Sequence, residues 1–187
     1  ARMNGARIEA PCVNRSDYLT TLEGQKLYLG FIHLQEFEMR AAEKLVKART
    51  AKGPFVDFDD FVDRVAMGIE QVSILIRVGA FRFTGVNKRE LLWQAHMKLG
   101  KSTAEPITEK LFGVSHKRYK LPVLTTTETE EAFDQIELLG FPLCNPFDLL
   151  DPPPGNNFTA QDIQQAVGKS VAIYGYLVTA KNTKTSN

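Results

Sequence analysis

The chain has 187 residues, of which 43% are hydrophobic, and a formal net charge of only +1. It is long enough to bury the core of one or two small domains, and its overall charge indicates no particular class of partner. Its two cysteines, Cys12 and Cys144, are far apart in sequence, which argues against a disulfide framework or a zinc knuckle. No apolar run approaches the roughly 20 residues of a membrane span, and the first residues lack the pattern of a signal peptide. We therefore expect a cytoplasmic protein with no membrane segment.

The charge is distributed unevenly along the chain. Between Arg77 and Lys120 there are ten basic residues and three acidic ones, whereas residues 121–165 contain eight acids and no lysine or arginine. This asymmetry predicts that one face of the protein meets a polyanion while another faces solvent or a protein partner. Ordinary solvated helix faces are the alternative interpretation.

Residues 1–33 show little helical periodicity, and their alternating polar and apolar residues around "LEGQ" predict a small β-hairpin or an extended segment. Beyond them, apolar residues at helical spacing predict helices over residues 35–49, 58–65, 69–78 and 88–99. Glycines and prolines separate these helices, and Asn87 is placed to cap the last of them. In the core that they share, we expect the following side chains to be largely buried: Phe37, Leu45, Phe55, Phe58, Leu75, Phe81, Leu92 and Trp93.

The second half of the chain has weaker periodicity. Residues 101–127 form a basic, loop-like stretch around "ITEKLFGV", and a helix over residues 128–139 follows. A proline-rich connector leads to a short helix capped by Thr159. In "KSVAIYGYLVTA" a β-strand is predicted by the alternation of Val171, Ile173 and Leu177.

The run "DFDDFVD" places four aspartates close together, at positions 57, 59, 60 and 63. Carboxylates in such number could hold metal ions for phosphoryl transfer. At the start of a predicted helix, however, Asp57 can accept hydrogen bonds from free N–H groups, and Asp59 and Asp60 complement the helix dipole. We favour this capping interpretation, and no histidine stands beside a nucleophile in a recognisable arrangement. The sequence therefore predicts no catalytic residue and no metal site in this chain.

The stretch "VGAFRFTGVNKRELL" has the features of a phosphate-binding turn. Gly79 and Gly85 bracket a short loop, and glycines let backbone N–H groups approach a phosphate closely. The loop carries Arg82 and leads into a helix N-terminus with Lys88 and Arg89, where the helix dipole favours an anion. The alternative is a plain helix end followed by a helix start, with phenylalanines filling the core between them.

Taken in order, these segments resemble a known family, the C-family bacterial DNA polymerases to which the DNA polymerase III alpha subunit belongs. The similarity covers essentially the whole chain and rests on the order and spacing of "ARMNGARIEAPCVNRSDY", "LYLGF", "AAEKLVKAR", "GPFVDFDDFVDRV", "LIRVGAF", "TGVNKRELL", "ELLGFPL" and "GKSVAIYGYLV". The resemblance implies a mainly α fold: a tandem helix-hairpin-helix bundle with a short N-terminal extended or β segment and a C-terminal β-strand from a truncated OB-fold. It also implies that the catalytic aspartates and the Mg²⁺ of the parent polymerase belong to its palm, upstream, and that this fragment itself has no cofactor.

The resemblance divides the chain into five parts. Residues 1–33 correspond to a lead-in from the fingers, 34–100 to the tandem helix-hairpin-helix domain, 101–127 to a basic loop with a candidate clamp-binding motif, 128–166 to a helical connector and 167–187 to the start of the OB-fold. The implied partners are duplex DNA bound without regard to sequence, a sliding clamp and other subunits of the polymerase holoenzyme. The implied function is DNA binding and clamp tethering by a non-catalytic region of the alpha subunit during replication.

The resemblance also assigns roles to particular residues. Members of the family usually carry a glycine–hydrophobic–glycine hairpin where this chain has Glu36-Phe37-Glu38, so two carboxylates replace the glycines that let a phosphate approach. We therefore expect the first hairpin to keep its fold and to contribute little to DNA binding. The second hairpin keeps its glycines and cations, and we expect DNA phosphates to be bound there by Gly79, Arg82, Gly85, Lys88 and Arg89.

The segment "TEKLF" lies where replicative members of the family carry a clamp-binding motif, a Gln followed by an aliphatic residue and Phe. Leu111 and Phe112 match the hydrophobic pair, whereas Thr108 replaces the Gln, and the pair could equally pack on the core of the chain. The weakened motif and the altered first hairpin would also suit an error-prone accessory polymerase of the same family, which "NKRELLWQA" resembles. A helical protein-interaction domain with no role on DNA is the third alternative.

The predicted C-terminal strand lacks the other strands of an OB-fold barrel. Its apolar side chains and backbone groups would be exposed if it stayed alone. We expect it to pair with the N-terminal extended segment or with a neighbouring molecule rather than to be poorly ordered.

Overall fold

The computed structural model describes residues 5–100, 126–151, 158–177 and 179–181. The chain separates into two compact units, residues 1–143 and residues 144–187, and each unit is described by itself. No helix among the described residues combines the length and the apolar character that crossing a membrane requires.

A small three-stranded sheet opens the first unit. Its strands, in the order β1-β3-β2, are β1 (Arg7–Glu9), β2 (Thr21–Glu23) and β3 (Lys26–Tyr28). β3 pairs antiparallel with β2 across a tight turn in which Gly24 has a φ of 60°, and it pairs parallel with β1. The predicted N-terminal β segment is thus confirmed. The parallel strand β1 is an addition that the hairpin pattern did not indicate.

Four helices follow in the predicted order: α1 (Met39–Lys52), α2 (Phe58–Arg64), α3 (Ile69–Arg77) and α4 (Lys88–Leu99). α1 begins at Met39 rather than at Gln35, because the residues before it form a hairpin instead of a helical turn. Short 3-10 turns lie before α1, at Phe31–His33, and between α3 and α4, at Arg82–Thr84. The mainly α fold class is confirmed.

One hydrophobic core lies beneath these helices. Phe81, from the loop between α3 and α4, is 1% exposed and meets the ring of Phe58 at 5.2 Å and that of Phe61 at 4.9 Å between centroids. Both contacts are edge-to-face, the arrangement that aromatic quadrupoles favour. Leu45 from α1 and Leu75 from α3 are fully buried in the same cluster. Removal of these side chains from water is the main contribution to stability.

The predicted core residues are placed as follows. Leu45, Phe55, Phe58, Leu75 and Phe81 are buried, and Phe37 and Leu92 are partly buried against the core. The prediction for Trp93 is wrong, since 48% of this residue is exposed. α4 turns Leu91 and Ala95 toward the core, and a residue two positions from each lies on a different side of a helix.

α2 shows how the clustered aspartates are used. Asp57 is the N-cap and accepts a hydrogen bond from the Asp60 N–H at 2.8 Å. The Asp60 carboxylate in turn accepts from Arg64 at 2.8 Å. Arg64 also donates to the carbonyl oxygens of Ala48 and Gly53, at 2.9 and 2.7 Å. These carboxylates therefore start α2 and fasten it to the end of α1.

The last helix of the first unit is α5 (Glu128–Leu139). It begins with a capping box, in which Thr127 accepts from the Glu130 N–H and the Glu130 carboxylate accepts from the Thr127 N–H. At its other end Leu138 joins the core, and the Leu138 carbonyl accepts a hydrogen bond from the Gln35 N–H at 2.8 Å. The C-terminal end of α5 is thus packed against the segment that precedes α1.

In the second unit, the described residues contain 3-10 turns at Pro146–Leu149 and Ala160–Ala166. Thr159 starts the second of these with a capping box to Asp162. Hydrogen bonds from the Thr159 N–H and hydroxyl lower the pKa of Asp162. The short helix predicted after Thr159 therefore forms as a 3-10 turn.

The prediction of a β-strand near residues 171–177 is wrong for this structure. Residues 171–177 form no strand, and the sheet among the described residues consists of β1, β2 and β3. Val171, Ile173 and Leu177 are largely exposed. A strand is stabilised by its ladder partners, so an alternating pattern does not by itself produce one.

Candidate nucleic-acid interface

The first hairpin, residues 34–38, leads from a 3-10 turn into α1. Glu36 has a φ of 59°, in the left-handed region that glycine adopts readily and that costs other residues about 1–2 kcal/mol. Glu38 has an ordinary φ of −72° and is the N-cap of α1, without a side-chain cap hydrogen bond. Of the two glutamates that replace glycines, only Glu36 therefore occupies a backbone position suited to glycine.

The polar backbone groups of the first hairpin are engaged by α3. The Gln71 side-chain oxygen accepts a hydrogen bond from the Glu38 N–H at 2.8 Å, and the Gln71 side-chain nitrogen donates to the Glu36 carbonyl at 3.0 Å. A phosphate is bound by N–H groups that have no other acceptor. The N–H of Glu38 already has one, and two carboxylates stand beside it. These contacts work against anion binding at the first hairpin.

The second hairpin, residues 78–87, joins α3 to α4. Gly79 and Gly85 have φ values of 78° and 68°, so both use the left-handed region for which glycine is suited. Asn87 caps α4 by accepting a hydrogen bond from the Arg89 N–H at 2.8 Å, and its side chain also lies 3.3 Å from the hydroxyl of Thr126. The hairpin is thus a fixed turn that delivers the chain directly to a helix N-terminus.

Four of the five residues predicted to bind phosphate lie around one cavity. Gly79, Arg82, Gly85 and Lys88 line a cavity of about 330 Å³ at the second hairpin, together with a glutamate of α5. Arg89 does not line this cavity. The structure therefore brings the glycines and two of the cations together, and it places the third cation outside.

Two cations of the second hairpin are paired with α5. Lys88 Nζ lies 2.8 Å from Asp134 Oδ2, and the Arg89 guanidinium donates to Glu130. The Lys88 side chain is only 12% exposed, whereas that of Arg89 is 39% exposed. A phosphate could therefore displace Glu130 from Arg89 at the surface, whereas at Lys88 it would compete with an ion pair that is largely shielded from water.

Arg82 contacts residues at the end of β1 and just after it. Its guanidinium donates to the carbonyl oxygens of Ala10 at 3.0 Å and Pro11 at 2.9 Å, and it lies 3.7 Å from the carboxylate of Glu9. The side chain stays partly exposed. Arg82 thus fastens the hairpin to the end of β1 and keeps part of its charge available to solvent.

Sequence reasoning missed Arg77 as part of this cluster. Its Nε donates to Asp134 at 3.0 Å, and its Nη1 donates to Glu137 at 3.1 Å. The hydrogen bond between Arg77 and Glu137 raises the pKa of Arg77 and lowers the pKa of Glu137. The available signal was the spacing of Glu130, Asp134 and Glu137, which puts three carboxylates on one face of α5.

These contacts account for part of the uneven charge along the sequence. The asymmetry predicted a polyanion for the basic region and solvent or another protein for the acidic region. In the described residues, the acidic face of α5 lies on the basic second hairpin instead. The two regions partly neutralise each other, which a count along the sequence cannot reveal.

The residues predicted to bind a clamp, Thr108, Leu111 and Phe112, lie outside the described residues, so their role stays a prediction. Among the residues that the structure does describe, no three His, Cys, Asp or Glu side chains are grouped so as to hold a metal ion.

A family model described as a helix-hairpin-helix motif matches residues 5–91, which include both hairpins. An error-prone DNA polymerase of Mycobacterium tuberculosis (strain ATCC 25618 / H37Rv) is 39% identical over 97 residues, 51% of this chain and 9% of the relative. An error-prone DNA polymerase of Corynebacterium diphtheriae is 30% identical over 95 residues, again 51% of this chain and 9% of the relative. A DNA polymerase III subunit alpha of Aquifex aeolicus (strain VF5) is 26% identical over 194 residues, 100% of this chain and 16% of the relative.

The chain thus spans between 9% and 16% of the length of these relatives. The matched region contains the two hairpins and the helices α1 to α3 that carry them, and the similarity to the alpha subunit extends over the whole chain. The order of motifs in the sequence points to the same group of proteins. The chain is thus similar to a C-terminal region of the C-family bacterial DNA polymerases, and its residues 5–91 contain the helix-hairpin-helix motif.

Proposed function

We propose that this chain is the non-catalytic DNA-binding region of a C-family polymerase and that it holds template–primer duplex through phosphate contacts during DNA synthesis. The observation that carries the proposal is the second hairpin, where left-handed Gly79 and Gly85 frame a cavity lined by Arg82 and Lys88. A tight turn that leads into a helix N-terminus beside cations suits a phosphate group. Contacts to phosphates carry no sequence information, so binding is expected to be indifferent to base sequence.

The ion pairs with α5 set the strength of this binding. An exposed ion pair contributes about 0–1 kcal/mol, so a phosphate replaces Glu130 at Arg89 at little cost. Replacement of Asp134 at Lys88 costs more, because that pair is largely shielded from water. We therefore expect weak binding that depends steeply on salt concentration.

The salt dependence of binding tests the proposal. Arg82, Lys88 and Arg89 are changed together to Gln, and the affinity for a short duplex is measured by fluorescence anisotropy over a range of salt concentrations. Each phosphate contact contributes about 0.9 to the slope of log K against log salt, so the variant should flatten the slope by about 2–3. An unchanged slope would show that DNA binds elsewhere.

A matched control removes the same charge from lysines that do not line the hairpin cavity: Lys52, Lys169 and Lys181. This control should leave the slope nearly unchanged. Thermal unfolding of each variant shows whether the fold is kept, because Lys88 is a shielded residue. The single change Arg89→Gln removes only an exposed pair and should still flatten the slope by about 1.

The similarities favour an error-prone accessory polymerase as the parent of this region. The error-prone relatives from mycobacteria are 37–39% identical over half of the chain, whereas the alpha subunit is 26% identical over all of it. Replacement of the hairpin glycine by Glu36 and of the motif Gln by Thr108 suits the same branch. The test is primer extension by the full-length polymerase with Mg²⁺ on a damaged template. Extension past the lesion is expected, and an enzyme that always stops before it would support the replicative branch.

We also propose that Leu111 and Phe112 tether the polymerase to a sliding clamp, as one contact with the holoenzyme. The support is the resemblance of "TEKLF" to the clamp-binding motif, since a hydrophobic pair inserted into a pocket is a common anchor. Binding to a purified clamp should be lost when both residues are changed to Ala. The change Thr108→Gln should strengthen binding. If neither variant differs from the parent chain, the segment does not bind the clamp.

A further inference from the structure

α1 carries a row of exposed cations on one side. Arg40, Lys44 and Lys47 are spaced at i, i+4 and i+7, so they lie within an arc of about 60° around the helix axis. The row spans about 10 Å of helix, roughly three base-pair steps of a DNA duplex. The opposite side of α1 faces the core through Ala41, Ala42 and Leu45.

These cations differ from the cations of the second hairpin, and they share the lack of an ion pair with five scattered cations of the described residues: Arg7, Lys26, Lys52, Lys169 and Lys181. Ion pairs with carboxylates are formed by Arg15, Arg49, Arg64, Arg77, Arg82, Lys88, Arg89 and Lys98. The side chains of Arg40, Lys44 and Lys47 form no ion pair or hydrogen bond with any described residue. Glu43 is the one acidic residue of α1, and within the described part of the chain its carboxylate also forms no ion pair. Three cations and one carboxylate thus leave this side of α1 with a net positive charge and no ion pair among the described residues.

Part of the row works against the stability of α1, namely Arg40 and Lys44, whereas Lys47 lies at i, i+4 from Glu43, a spacing at which opposite charges attract. Like charges at i, i+4 repel each other on a helix surface, as Arg40 and Lys44 do here. Arg40 also lies in the first turn, which contains no acidic residue, so its charge adds to the positive end of the helix dipole. The N-cap, Glu38, supplies no side-chain cap, and Glu36 just before it has a left-handed backbone. Features that oppose local stability and gather at one place are typical of a site that a ligand completes.

We propose that Arg40, Lys44 and Lys47 form a second binding site for the sugar–phosphate backbone of duplex DNA. A row of phosphates would relieve the repulsion between the cations. No carboxylate has to leave first, in contrast to the second hairpin. The inference goes beyond the proposed function, which places the phosphate contacts at the second hairpin, and it rests on that function only in taking duplex DNA as the ligand.

The test changes Arg40, Lys44 and Lys47 together to Gln, which keeps helix propensity nearly constant at exposed positions. Anisotropy titrations with a short duplex, between about 50 and 200 mM salt, should show a slope of log K against log salt that is flatter by about 2–3. The control with the same charge change, Lys52, Lys169 and Lys181 to Gln, should show little effect. The change Ala51→Lys extends the row at i+4 from Lys47, and it should steepen the slope by about 1.

A second measurement needs no variant. Acetylation of lysine side chains, followed by mass spectrometry, should become several-fold slower at Lys44 and Lys47 when duplex is added, with Lys52 as the internal reference. Equal rates with and without duplex would overturn the inference, as would protection by an acidic peptide but not by duplex. So would a control variant that loses as much slope as the row variant, because the effect would then be one of net charge.

The experiments test the proposed site on α1 and the proposed site at the second hairpin independently. If the row variant flattens the slope and the Arg82, Lys88 and Arg89 variant does not, the inference stands and the proposed hairpin site is wrong. If only the hairpin variant flattens the slope, the inference is overturned and the proposed function stands. If the parent chain does not bind duplex at any salt concentration, both are overturned.

Discussion

The two hairpins both use left-handed backbone positions, and different residues occupy them. In the second hairpin, glycines at positions 79 and 85 take the left-handed conformation. In the first, Glu36 takes it, and an amide side chain from α3 fills the hydrogen bonds of the turn. The comparison teaches that the shape of such a hairpin and its capacity to bind phosphate are separable. Shape needs a left-handed residue and an anchored loop, whereas binding needs cations near the turn. The N–H groups of Gly79, Arg82 and Gly85 in the second hairpin also have backbone acceptors, so the cations distinguish it from the first.

The same comparison applies to charge. The first hairpin carries two carboxylates but is followed on α1 by cations that pair with no carboxylate of the described residues, whereas the second carries cations that already pair with α5 and the sheet. A basic sequence is therefore a poor measure of available positive charge. The positions of the carboxylates in the fold decide how much of it a polyanion can use.

The largest expected difference between the hairpins is in the stability contributed by the phenylalanine that packs each of them against the core. Phe81 in the second hairpin is fully buried between two rings, so Phe81→Ala should lower the free energy of unfolding by about 3–5 kcal/mol. Phe37 in the first hairpin is partly buried and meets the ring of Phe31 at 5.7 Å, so Phe37→Ala should cost about 1–2 kcal/mol. Urea unfolding at neutral pH measures both losses. Equal losses would show that the two loops are anchored alike.

The next largest expected effect on stability comes from the two hydrogen bonds that Gln71 makes to the first hairpin. Gln71→Ala removes both hydrogen bonds to the hairpin and should cost about 1–2 kcal/mol of stability. The matched control is Gln94→Ala, which removes an exposed side chain with one long hydrogen bond to Glu90 and should change stability by less than about 0.5 kcal/mol. A similar effect of both changes would mean that Gln71 does not hold the turn.

Removal of the acidic face of α5 tests whether it competes with DNA at the second hairpin. Glu130, Asp134 and Glu137 are changed to Gln, Asn and Gln, and the affinity for duplex should rise about tenfold, since four ion pairs no longer oppose binding. The control with the same charge change is Glu70→Gln, Glu128→Gln and Asp148→Asn. An equal rise in the control would assign the effect to net charge alone.

A smaller change in stability is expected when the left-handed residue Glu36 is replaced by glycine. Glu36→Gly relieves the left-handed strain of about 1–2 kcal/mol but adds freedom to the unfolded chain, so we expect a net gain in stability of about 0.5 kcal/mol. Glu38→Gly has no strain to relieve and should not stabilise the protein. Thermal unfolding distinguishes the two. Both changes together should also strengthen DNA binding, because they remove the carboxylates from the hairpin.

The smallest expected effect is that of acid on α5. The hydrogen bond from Arg77 lowers the pKa of Glu137, so the stability that Glu137 contributes is present at and above the ordinary pKa of a carboxyl group. It is lost as pH falls through the lowered pKa of the folded state. The difference in stability between the parent chain and Glu137→Gln should therefore be visible at neutral pH and vanish in acid. A difference that is constant with pH would contradict the pairing.

Local signals allowed much of the fold to be predicted. The four helices before the basic loop, the caps at Asp57 and Asn87 and the left-handed glycines at 79 and 85 each depend on neighbours within a turn or two of the chain. The glycine-bearing half of the candidate site could be predicted for the same reason.

Contacts between distant segments could not be predicted. Gln71 reaches a hairpin more than thirty residues away, and Arg77 meets Glu137 across sixty residues of sequence. The exposure of Trp93 could not be predicted for the same reason. The packing of α4 on α3 decides which side of α4 is buried, and the sequence of α4 itself is only weakly amphipathic. The strand near residue 171 has the local pattern of a strand but no partner in the described sheet.

α4 fixes both ends of the segment that carries the predicted clamp motif. The segment leaves α4 after Gly100, and it returns at Thr126, which lies beside Asn87 at the other end of the same helix. Since α4 has 12 residues, the two attachment points are about 18 Å apart. Covalent geometry keeps Thr108 within about 30 Å of Gly100 whatever path the chain takes. A protein bound at Thr108–Phe112 would therefore be confined to a small volume around α4, at an effective concentration in the millimolar range.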